Sequence, residues 1–236
     1  MEITYWSDYA CPYCYIGETR LKKALEQTGL ADETSLHMKA FQLDPNAPEH
    51  AAGDTVTRYG KKYGLDPEAA AASVAQISAL GEAEGLSFAY ADTLFTNTMD
   101  AHRLTKLAQS KGDPELTEKL IGLLFKAYFT DGLELADHEV LMNAGLEAGL
   151  ERDEIQALLD SDEYFDAVRR DEAEAASLGV HGVPYFVIDG MLAIPGSLST
   201  EDFARVLTEQ IPALKQKAQT AQALGDACGP DGCRIR

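Results

Sequence analysis

The stretch Ser7-Asp8-Tyr9-Ala10-Cys11-Pro12-Tyr13-Cys14-Tyr15 decides how this chain is interpreted. It follows an alternating run, Ile3-Thr4-Tyr5-Trp6, which predicts a β-strand. It precedes a helical pattern of apolar residues that includes Ile16, Leu21 and Leu25 and ends near Gly29. The sequence therefore places Cys-Pro-Tyr-Cys at the start of a helix that directly follows a strand.

That position has a chemical consequence for the two cysteines. The first N–H groups of a helix are unpaired and its dipole favours negative charge, so a thiolate is stabilised there. Pro12 suits the first helical position, where a missing N–H costs nothing. We predict that Cys11 is the attacking sulfur, that Cys14 resolves the mixed disulfide, and that Pro12 and Tyr13 support the site.

A Cys-x-x-Cys pair also has other interpretations. It can be half of a zinc site completed by a second pair of cysteines or histidines, or it can occur by chance. Metal knuckles usually lie on tight turns, whereas a redox pair needs a strand followed by a helix. The predicted context therefore favours redox chemistry, and metal binding stays open as an alternative.

Composition limits the classes of function that the chain can have. Its 236 residues suffice for one large domain, or for one domain with a sizeable insertion. Acidic residues number 39 against 20 basic ones, so the net charge is −19. Such a surface repels phosphate backbones and anionic lipids, so we expect neither nucleic acid nor membrane among the partners.

The N-terminal residues and the cysteine count bear on the compartment. Met1-Glu2-Ile3-Thr4 enters a strand at once, with no basic or apolar leader pattern. No apolar run reaches the ~20 residues of a membrane helix. Four cysteines without an export signal are more often catalytic or metal-binding than structural. We expect a cytoplasmic protein with no cofactor and no resident metal.

The order of predicted elements indicates a small sheet interrupted by helices. Ser35 to Leu43 reads as a second strand, which completes a βαβ unit. Helical periodicity then dominates to about residue 178, with helix starts that include Asp54, Asp137 and Ser161. This block of ~120 residues is too long for a loop, so we predict five to seven helices in an inserted domain.

Strand-like sequence returns within residues 182–191, and residues 191–195 are predicted to form the returning strand. The dipeptide Asp189-Gly190 predicts a hairpin turn, and Ser199 opens a last helix. The resulting fold class is α/β, a thioredoxin fold with a large inserted all-helical domain. We divide the chain into residues 1–50 and 179–223 for the thioredoxin fold, 51–178 for the insertion and 224–236 for a mobile tail.

Two motifs carry a resemblance to a known family. Ser-Asp-x-x-Cys-Pro-Tyr-Cys after the first strand, together with Gly179-Val180-His181-Gly182-Val183-Pro184-Tyr185-Phe186-Val187, resembles the DsbA-like thiol–disulfide oxidoreductases. The segments Asn97-Thr98-Met99-Asp100-Ala101-His102-Arg103-Leu104 and Leu124-Phe125-Lys126-Ala127-Tyr128-Phe129 resemble the FrnE-like cytosolic subgroup. The resemblance extends to about Pro212.

The resemblance implies roles for several residues. Pro184 matches a cis-proline that faces the cysteine pair, and its bond would turn the backbone of Val183 toward the disulfide and a substrate strand. An ordinary proline at a strand entry is the alternative. His102 either tunes the thiolate of Cys11 or is an ordinary hydrogen-bonded histidine. Asp8 either opposes the thiolate or relays protons, or it caps the motif helix.

The tail carries a second pair of cysteines. Gly229-Pro230-Asp231-Gly232 is strong turn sequence and brings Cys228 and Cys233 together. A disulfide over so short a loop would add only about 2 kcal/mol in the chain-entropy model. We therefore interpret the pair as a second redox centre, which members of the FrnE-like subgroup also carry, with a soft metal as the alternative.

The leading hypothesis is a protein thiol–disulfide oxidoreductase or isomerase. Its partners would be proteins with thiols or disulfides, with glutathione or thioredoxin as redox partner. One rival is a protein of soft-metal binding or metal stress that uses its cysteines as ligands. A second is a glutathione-dependent transferase or isomerase on the same fold. Relatives of that second class replace Cys11 by serine or another single catalytic residue, whereas this chain keeps both cysteines.

Overall fold

The computed structural model describes residues 1–226, 228–229 and 232–233. A four-stranded sheet has the order β2-β1-β3-β4, where β1 is Glu2–Ser7, β2 is Ser35–Ala40, β3 is Tyr185–Ile188 and β4 is Leu192–Pro195. Strand β2 runs parallel to β1, whereas β3 is antiparallel to both β1 and β4. Helix α1, Pro12–Thr28, connects β1 to β2. This is the predicted thioredoxin fold.

Seven α-helices lie between β2 and β3, in agreement with the predicted helical insertion. They are α2 Thr55–Tyr63, α3 Pro67–Ala83, α4 Met99–Ser110, α5 Pro114–Phe129, α6 His138–Ala148, α7 Arg152–Leu159 and α8 Phe165–Ser177. Short 3₁₀ turns occupy Ala31–Glu33 and Tyr90–Asp92. Four of these helices begin after an aspartate whose carboxylate accepts a backbone N–H of the first turn, namely Asp54, Asp66, Asp113 and Asp137.

One predicted helix start is wrong. Helix α8 begins at Phe165, not after Ser161. The Ser161 hydroxyl instead donates backward, 2.7 Å to the carbonyl of Ala157 and 3.2 Å to that of Leu158. Ser161 therefore satisfies carbonyl groups at the end of α7, because a hydroxyl can serve a helix end as well as a helix start.

The second strand is shorter than predicted. It ends at Ala40, whereas the alternation suggested Leu43. Beyond it, the backbone N–H of Gln42 donates to the Glu172 carboxylate and that of Leu43 donates to Asp8. Side-chain acceptors replace a partner strand there, so regular pairing stops.

The hairpin and the last helices follow the sequence closely. Asp189 and Gly190 have φ values of 49° and 64°, the left-handed pair that a two-residue hairpin turn needs. Ser199 caps α9, Thr200–Arg205. A π-helical turn, Val206–Gln210, joins it to α10, Ile211–Asp226, so the helical path continues through Pro212. None of the described helices is both long and apolar enough to cross a membrane.

The two faces of the sheet are covered differently. On one face Tyr5 stacks on Phe186, which meets Phe203 of α9 edge-on. This face belongs to a large core that also includes apolar residues of the inserted helices. On the other face Trp6 packs near Ala175 of α8, and its indole N–H donates 2.9 Å to the carbonyl of Asp171. Helix α8 is thereby fixed against the sheet.

The tail is described only in its backbone. Cys228–Gly229 and Gly232–Cys233 form a short antiparallel ladder in which Cys228 lies opposite Cys233. Pro230 and Asp231 of the predicted turn lie outside the described residues. The predicted mobility of residues 224–236 stays a prediction. The redox role of this pair and the domain boundaries stay predictions.

Candidate active site

The Cys-Pro-Tyr-Cys motif forms the first turn of α1. Cys11 is the residue before the helix and has extended dihedral angles, and Pro12 takes the first helical position. The N–H of Cys11 donates 3.0 Å to the carbonyl of Asp8, and that of Cys14 donates 3.1 Å to the carbonyl of Cys11. Both thiols are free and buried, whereas Tyr13 points outward and is 42% exposed. The structure therefore confirms the predicted helix start at the motif.

Val183 lies against Cys11, although it is 172 residues away in sequence, and Pro184 follows it directly. The Val183–Pro184 peptide bond is cis. The Cys11 thiol donates 3.4 Å to the carbonyl of Val183. Pairing of Trp6 in β1 with Tyr185 in β3 brings the loop to the motif. The structure thus joins Cys11, Val183 and Pro184 as the sequence motifs suggested.

The surroundings of Cys14 disfavour its thiolate form. Burial raises the pKa of the Cys14 thiol well above its usual range, and the hydrogen bond and charge of the Cys11 sulfur raise that pKa further. The Ser7 hydroxyl and the Asp8 backbone oppose the shift more weakly. Cys14 therefore becomes a thiolate less readily than an ordinary cysteine.

Asp8 does not cap the motif helix, so that alternative is wrong. No side chain caps α1. The buried Asp8 carboxylate turns inward and accepts the N–H of Leu43 at 2.7 Å and that of Ala10 at 3.3 Å. The carboxylate thus satisfies two backbone amides, and the His102 ring lies near it without forming a hydrogen bond to it. Its role in proton relay or in opposing a thiolate stays a prediction.

His102 approaches the motif through Asp8. It comes from α4, is only 1% exposed, and its Nε2 lies 3.5 Å from an Asp8 carboxylate oxygen. Its ring centroid is 5.0 Å from that of Tyr9, whose hydroxyl lies 2.5 Å from the Thr105 hydroxyl. These side chains place polar groups next to residues 8–10, which lead to Cys11. The effect of His102 on the thiolate stays a prediction.

A cleft opens beside the first cysteine. This cavity, the Cys11 cleft, has a volume of about 600 Å³. Cys11 lines it, whereas Cys14 does not. It is lined by residues 10–13, Leu43, Asp44, Gly182 and Val183, and by the insertion residues Arg58, Tyr59, Lys61, Lys62, Tyr63, Ile77, Tyr90 and Phe95.

The insertion side of this cleft was missed by the sequence reasoning. Helix α2 provides five of its lining residues, three of them basic: Arg58, Lys61 and Lys62. The available signal was the sequence Thr55-Val56-Thr57-Arg58-Tyr59-Gly60-Lys61-Lys62-Tyr63, a basic run in a strongly acidic chain. Nothing in that run alone says that it faces Cys11.

The described residues provide no metal-binding cluster. In the parts of the chain that the structure covers, no group of three or more histidine, cysteine, aspartate or glutamate side chains is arranged to hold an ion. The side chains of Cys228 and Cys233 lie outside that description. The described site thus has thiol chemistry available, with Cys11 facing the cleft and Cys14 behind it.

Comparisons with known proteins place this geometry among related folds. The family of DSBA-like thioredoxin domains matches residues 2–208. A probable DsbA oxidoreductase from Streptomyces coelicolor has 34% sequence identity and a TM-score of 0.82, over 100% of this chain and 99% of that one.

Two more distant structures share the fold. The cytosolic disulfide reductase DsbM from Pseudomonas aeruginosa has 19% identity and a TM-score of 0.59, over 90% of this chain and 100% of its own. A 2-hydroxychromene-2-carboxylate isomerase has 13% identity and a TM-score of 0.63, over 94% of this chain and 99% of its own. At these identities the likeness concerns the fold alone.

Proposed function

The chain belongs to the family of DSBA-like thioredoxin domains, and from that membership we propose that it catalyses protein thiol–disulfide exchange through Cys11 and Cys14. The observation that carries the proposal is the asymmetry of the two sulfurs. Cys11 lines an open cleft at a helix start, whereas Cys14 is buried behind it with a raised pKa. Attack by the sulfur that lines the cleft and resolution by the one behind it follow from that difference.

The exchange balances as follows. The Cys11 thiolate attacks one sulfur of a substrate disulfide, forms a mixed disulfide and releases the other half as a thiolate. Cys14 then loses its proton and attacks the Cys11 sulfur, which releases the second substrate thiolate. The substrate gains two electrons and the protein dithiol is oxidised to the Cys11–Cys14 disulfide. The reverse sequence oxidises a substrate dithiol.

Val183 is the proposed docking point for the substrate backbone. Its carbonyl lies 3.4 Å from the Cys11 sulfur, at the end of the cleft where a substrate disulfide must arrive. An extended substrate segment would pair with the backbone there, as edge strands do in other peptide-binding sites. We place this reaction in the cytoplasm and include isomerase activity. Glutathione or thioredoxin is the proposed redox partner. Cys228 and Cys233 are proposed to form a second redox pair that exchanges disulfides with Cys11 and Cys14.

Single cysteine substitutions test the assignment of the sulfurs. With Cys228 and Cys233 both changed to serine as background, Cys11→Ser is expected to abolish insulin reduction. Cys14→Ser is expected to accumulate mixed disulfides that mass spectrometry maps to Cys11. In the Cys11→Ser protein, alkylation of Cys14 should require more alkaline pH than a free cysteine, because burial alone holds its pKa high. Adducts on Cys14 and none on Cys11 would reverse the roles.

The tail requires its own comparison. The Cys228→Ser, Cys233→Ser protein is compared with the unaltered chain in multiple turnovers of a protein disulfide. A slower turnover, with a crosslink between the tail and the Cys11–Cys14 pair in the unaltered chain, supports the second redox pair. Equal turnover without a crosslink contradicts it and leaves the chemistry of Cys11 intact.

A further inference from the structure

We propose that the Cys11 cleft selects disulfides that carry carboxylates next to the reacting sulfur, and that Arg58, Lys61 and Lys62 of α2 recognise those carboxylates. The inference rests on the proposed function, because it assigns a substrate class to the same pair of cysteines. The inference is drawn from the positive charge that α2 contributes to the cleft, because the chain as a whole is strongly acidic.

The charge of the cleft is opposite to that of the chain. The whole chain has 39 acidic and 20 basic residues. The lining of the cleft has three cationic side chains, those of Arg58, Lys61 and Lys62, and a single carboxylate, that of Asp44. Since an acidic surface repels anions in general, a local cationic wall beside Cys11 is where an anionic substrate would be held.

The spacing on the helix explains why the three cations act together. Positions 58, 61 and 62 are separated by three and four residues, so they lie on one side of α2. Two lysines in the last turn also suit the helix dipole. That dipole effect does not account for Arg58, which lies in the first half of the helix and also lines the cleft.

These cations are available to a ligand. Lys61 and Lys62 are exposed, and none of the three forms an ion pair with a carboxylate among the described residues. Elsewhere in the chain, Arg20 and Lys23 share the Glu84 carboxylate. The three cleft cations can therefore pair with a carboxylate from outside the chain.

Arg58 is fixed in place by aromatic neighbours. Its guanidinium carbon lies 3.8 Å from the centroid of the Phe95 ring. Its positive charge also opposes the rise that burial causes in the pKa values of Tyr90 and Tyr128. A guanidinium held against rings in this way loses little freedom when it binds a carboxylate, and it suits bidentate contact.

The geometry links recognition to the reaction. A disulfide that reacts at Cys11 has its flanking groups in the cleft, where α2 forms the far side. A carboxylate there lies near three cations, within the distance of about 10 Å over which charges act at moderate salt. The thiolate that leaves when Cys11 attacks adds a second negative charge, so the same cations also stabilise the departing half.

Two chromogenic disulfides test the inference with the full chain. 5,5′-Dithiobis(2-nitrobenzoate) carries a carboxylate on each ring, and 4,4′-dithiodipyridine is neutral at pH 8. Stopped-flow rates of the reduced protein are measured with both probes in the Cys228→Ser, Cys233→Ser background, so that only Cys11 and Cys14 react. The ratio of the two rates is followed, because the intrinsic reactivity of each probe then cancels between variants. The Lys61→Glu, Lys62→Glu protein should lower the anionic-to-neutral ratio about tenfold at low salt, and 0.5 M salt should remove most of the difference.

A matched variant separates local recognition from net charge. Lys119→Glu, Lys217→Glu makes the same change in net charge at two exposed lysines that do not line the cleft. It should leave the ratio within about twofold of the unaltered protein. An unchanged ratio in the α2 variant, or an equal fall in the control, overturns the inference. If neither probe releases two thiolates per protein, the proposed function itself fails.

Peptide disulfides then assign the source of the carboxylate. Two peptides are compared that differ only in glutamate or glutamine on either side of the cysteine. A preference for the glutamate peptide that the α2 variant loses assigns the site to acidic polypeptide segments. No preference between the peptides, with the small-probe ratio still dependent on α2, assigns it to small carboxylated disulfides.

Discussion

The thioredoxin-like part and the inserted helices differ in how their residues come together. In the first, Cys11 and Val183 meet across 172 residues, because β1 pairs with β3. In the second, helices begin at aspartates that cap their own first turn, such as Asp54 and Asp113. Long-range strand pairing therefore positions Cys11, whereas locally specified helices provide part of the lining of the Cys11 cleft.

The two regions nevertheless share one core. Phe125 of α5 stacks on Tyr15 of the motif helix, with ring centroids 4.8 Å apart, and lies 5.0 Å from the ring of Tyr9. All three belong to the same apolar cluster as the sheet residues Tyr5 and Phe186. The insertion is therefore packed against the motif and does not form a core of its own.

The largest expected effect comes from Phe125→Ala. Removal of this fully buried ring should lower the free energy of unfolding by about 3–5 kcal/mol. Both regions should still unfold in a single transition, at a lower urea concentration. Trp6, the sole tryptophan, reports on the sheet by fluorescence, and far-UV circular dichroism reports mainly on the inserted helices. Urea unfolding followed by both signals should give coincident midpoints.

Phe165→Ala is the matched control for that experiment. This side chain lies in α8 and is 37% exposed, so the same chemical change should cost at most about 1 kcal/mol. If Phe125→Ala moves the circular dichroism transition and leaves the Trp6 transition in place, the two regions unfold separately and the shared core is not cooperative.

An intermediate effect is expected at the polar contact between the regions. Asp8→Ala removes the acceptor of the Leu43 N–H and the partner of His102, and should cost about 1–3 kcal/mol. A double-mutant cycle with His102→Gln measures the contribution of the pair. We expect a coupling of about 0.5–2 kcal/mol, since both side chains are almost fully buried. Additive single effects would show that Asp8 serves the loop amides alone.

The smallest effect compares one glycine from each region. A methyl group at Gly17 of α1 would lie 3.2 Å from Pro184 Cγ and 3.2 Å from Ser197 Oγ, whereas one at Gly122 of α5 meets nothing within 4 Å. Gly122→Ala should stabilise the protein by about 0.5–1 kcal/mol through helix propensity. Gly17→Ala should gain less than this and should slow disulfide exchange, because Pro184 must shift away from the motif. Equal gains and equal rates in both variants would contradict a tight approach between α1 and the Pro184 loop.

Short-range sequence signals predicted many of the turns and helix starts of the fold. The dipeptide Asp189-Gly190 predicts a left-handed hairpin turn because few other residues adopt those dihedral angles at low cost, and the structure has that turn. Aspartate before a helical pattern predicts a helix start, and four such starts are found. The helix start predicted at Ser161 is wrong because a hydroxyl can also donate to the carbonyls of the preceding helix, as it does here.

The position of the two cysteines at a helix start follows from residues that are close neighbours in the chain. Cys11 and Cys14 flank Pro12 and Tyr13 after a strand, and a strand followed by a proline-led turn leaves Cys11 at a helix start. The flanking motif around Pro184 carried the expectation of a cis bond, which the structure contains. The helix start depends on neighbours in the chain, where dihedral preferences and capping act over a few residues, whereas the cis bond was expected from the family resemblance alone.

The surroundings of the motif depend on contacts between elements that are far apart in the chain. The Asp8 carboxylate accepts the Leu43 amide, 35 positions away, and lies 3.5 Å from the ring of His102, 94 positions away. Helix α2 faces Cys11 because the inserted helices pack on the motif helix through Phe125 and its neighbours. Neither arrangement leaves a periodic or local signature in the sequence, since each depends on how distant elements share one core.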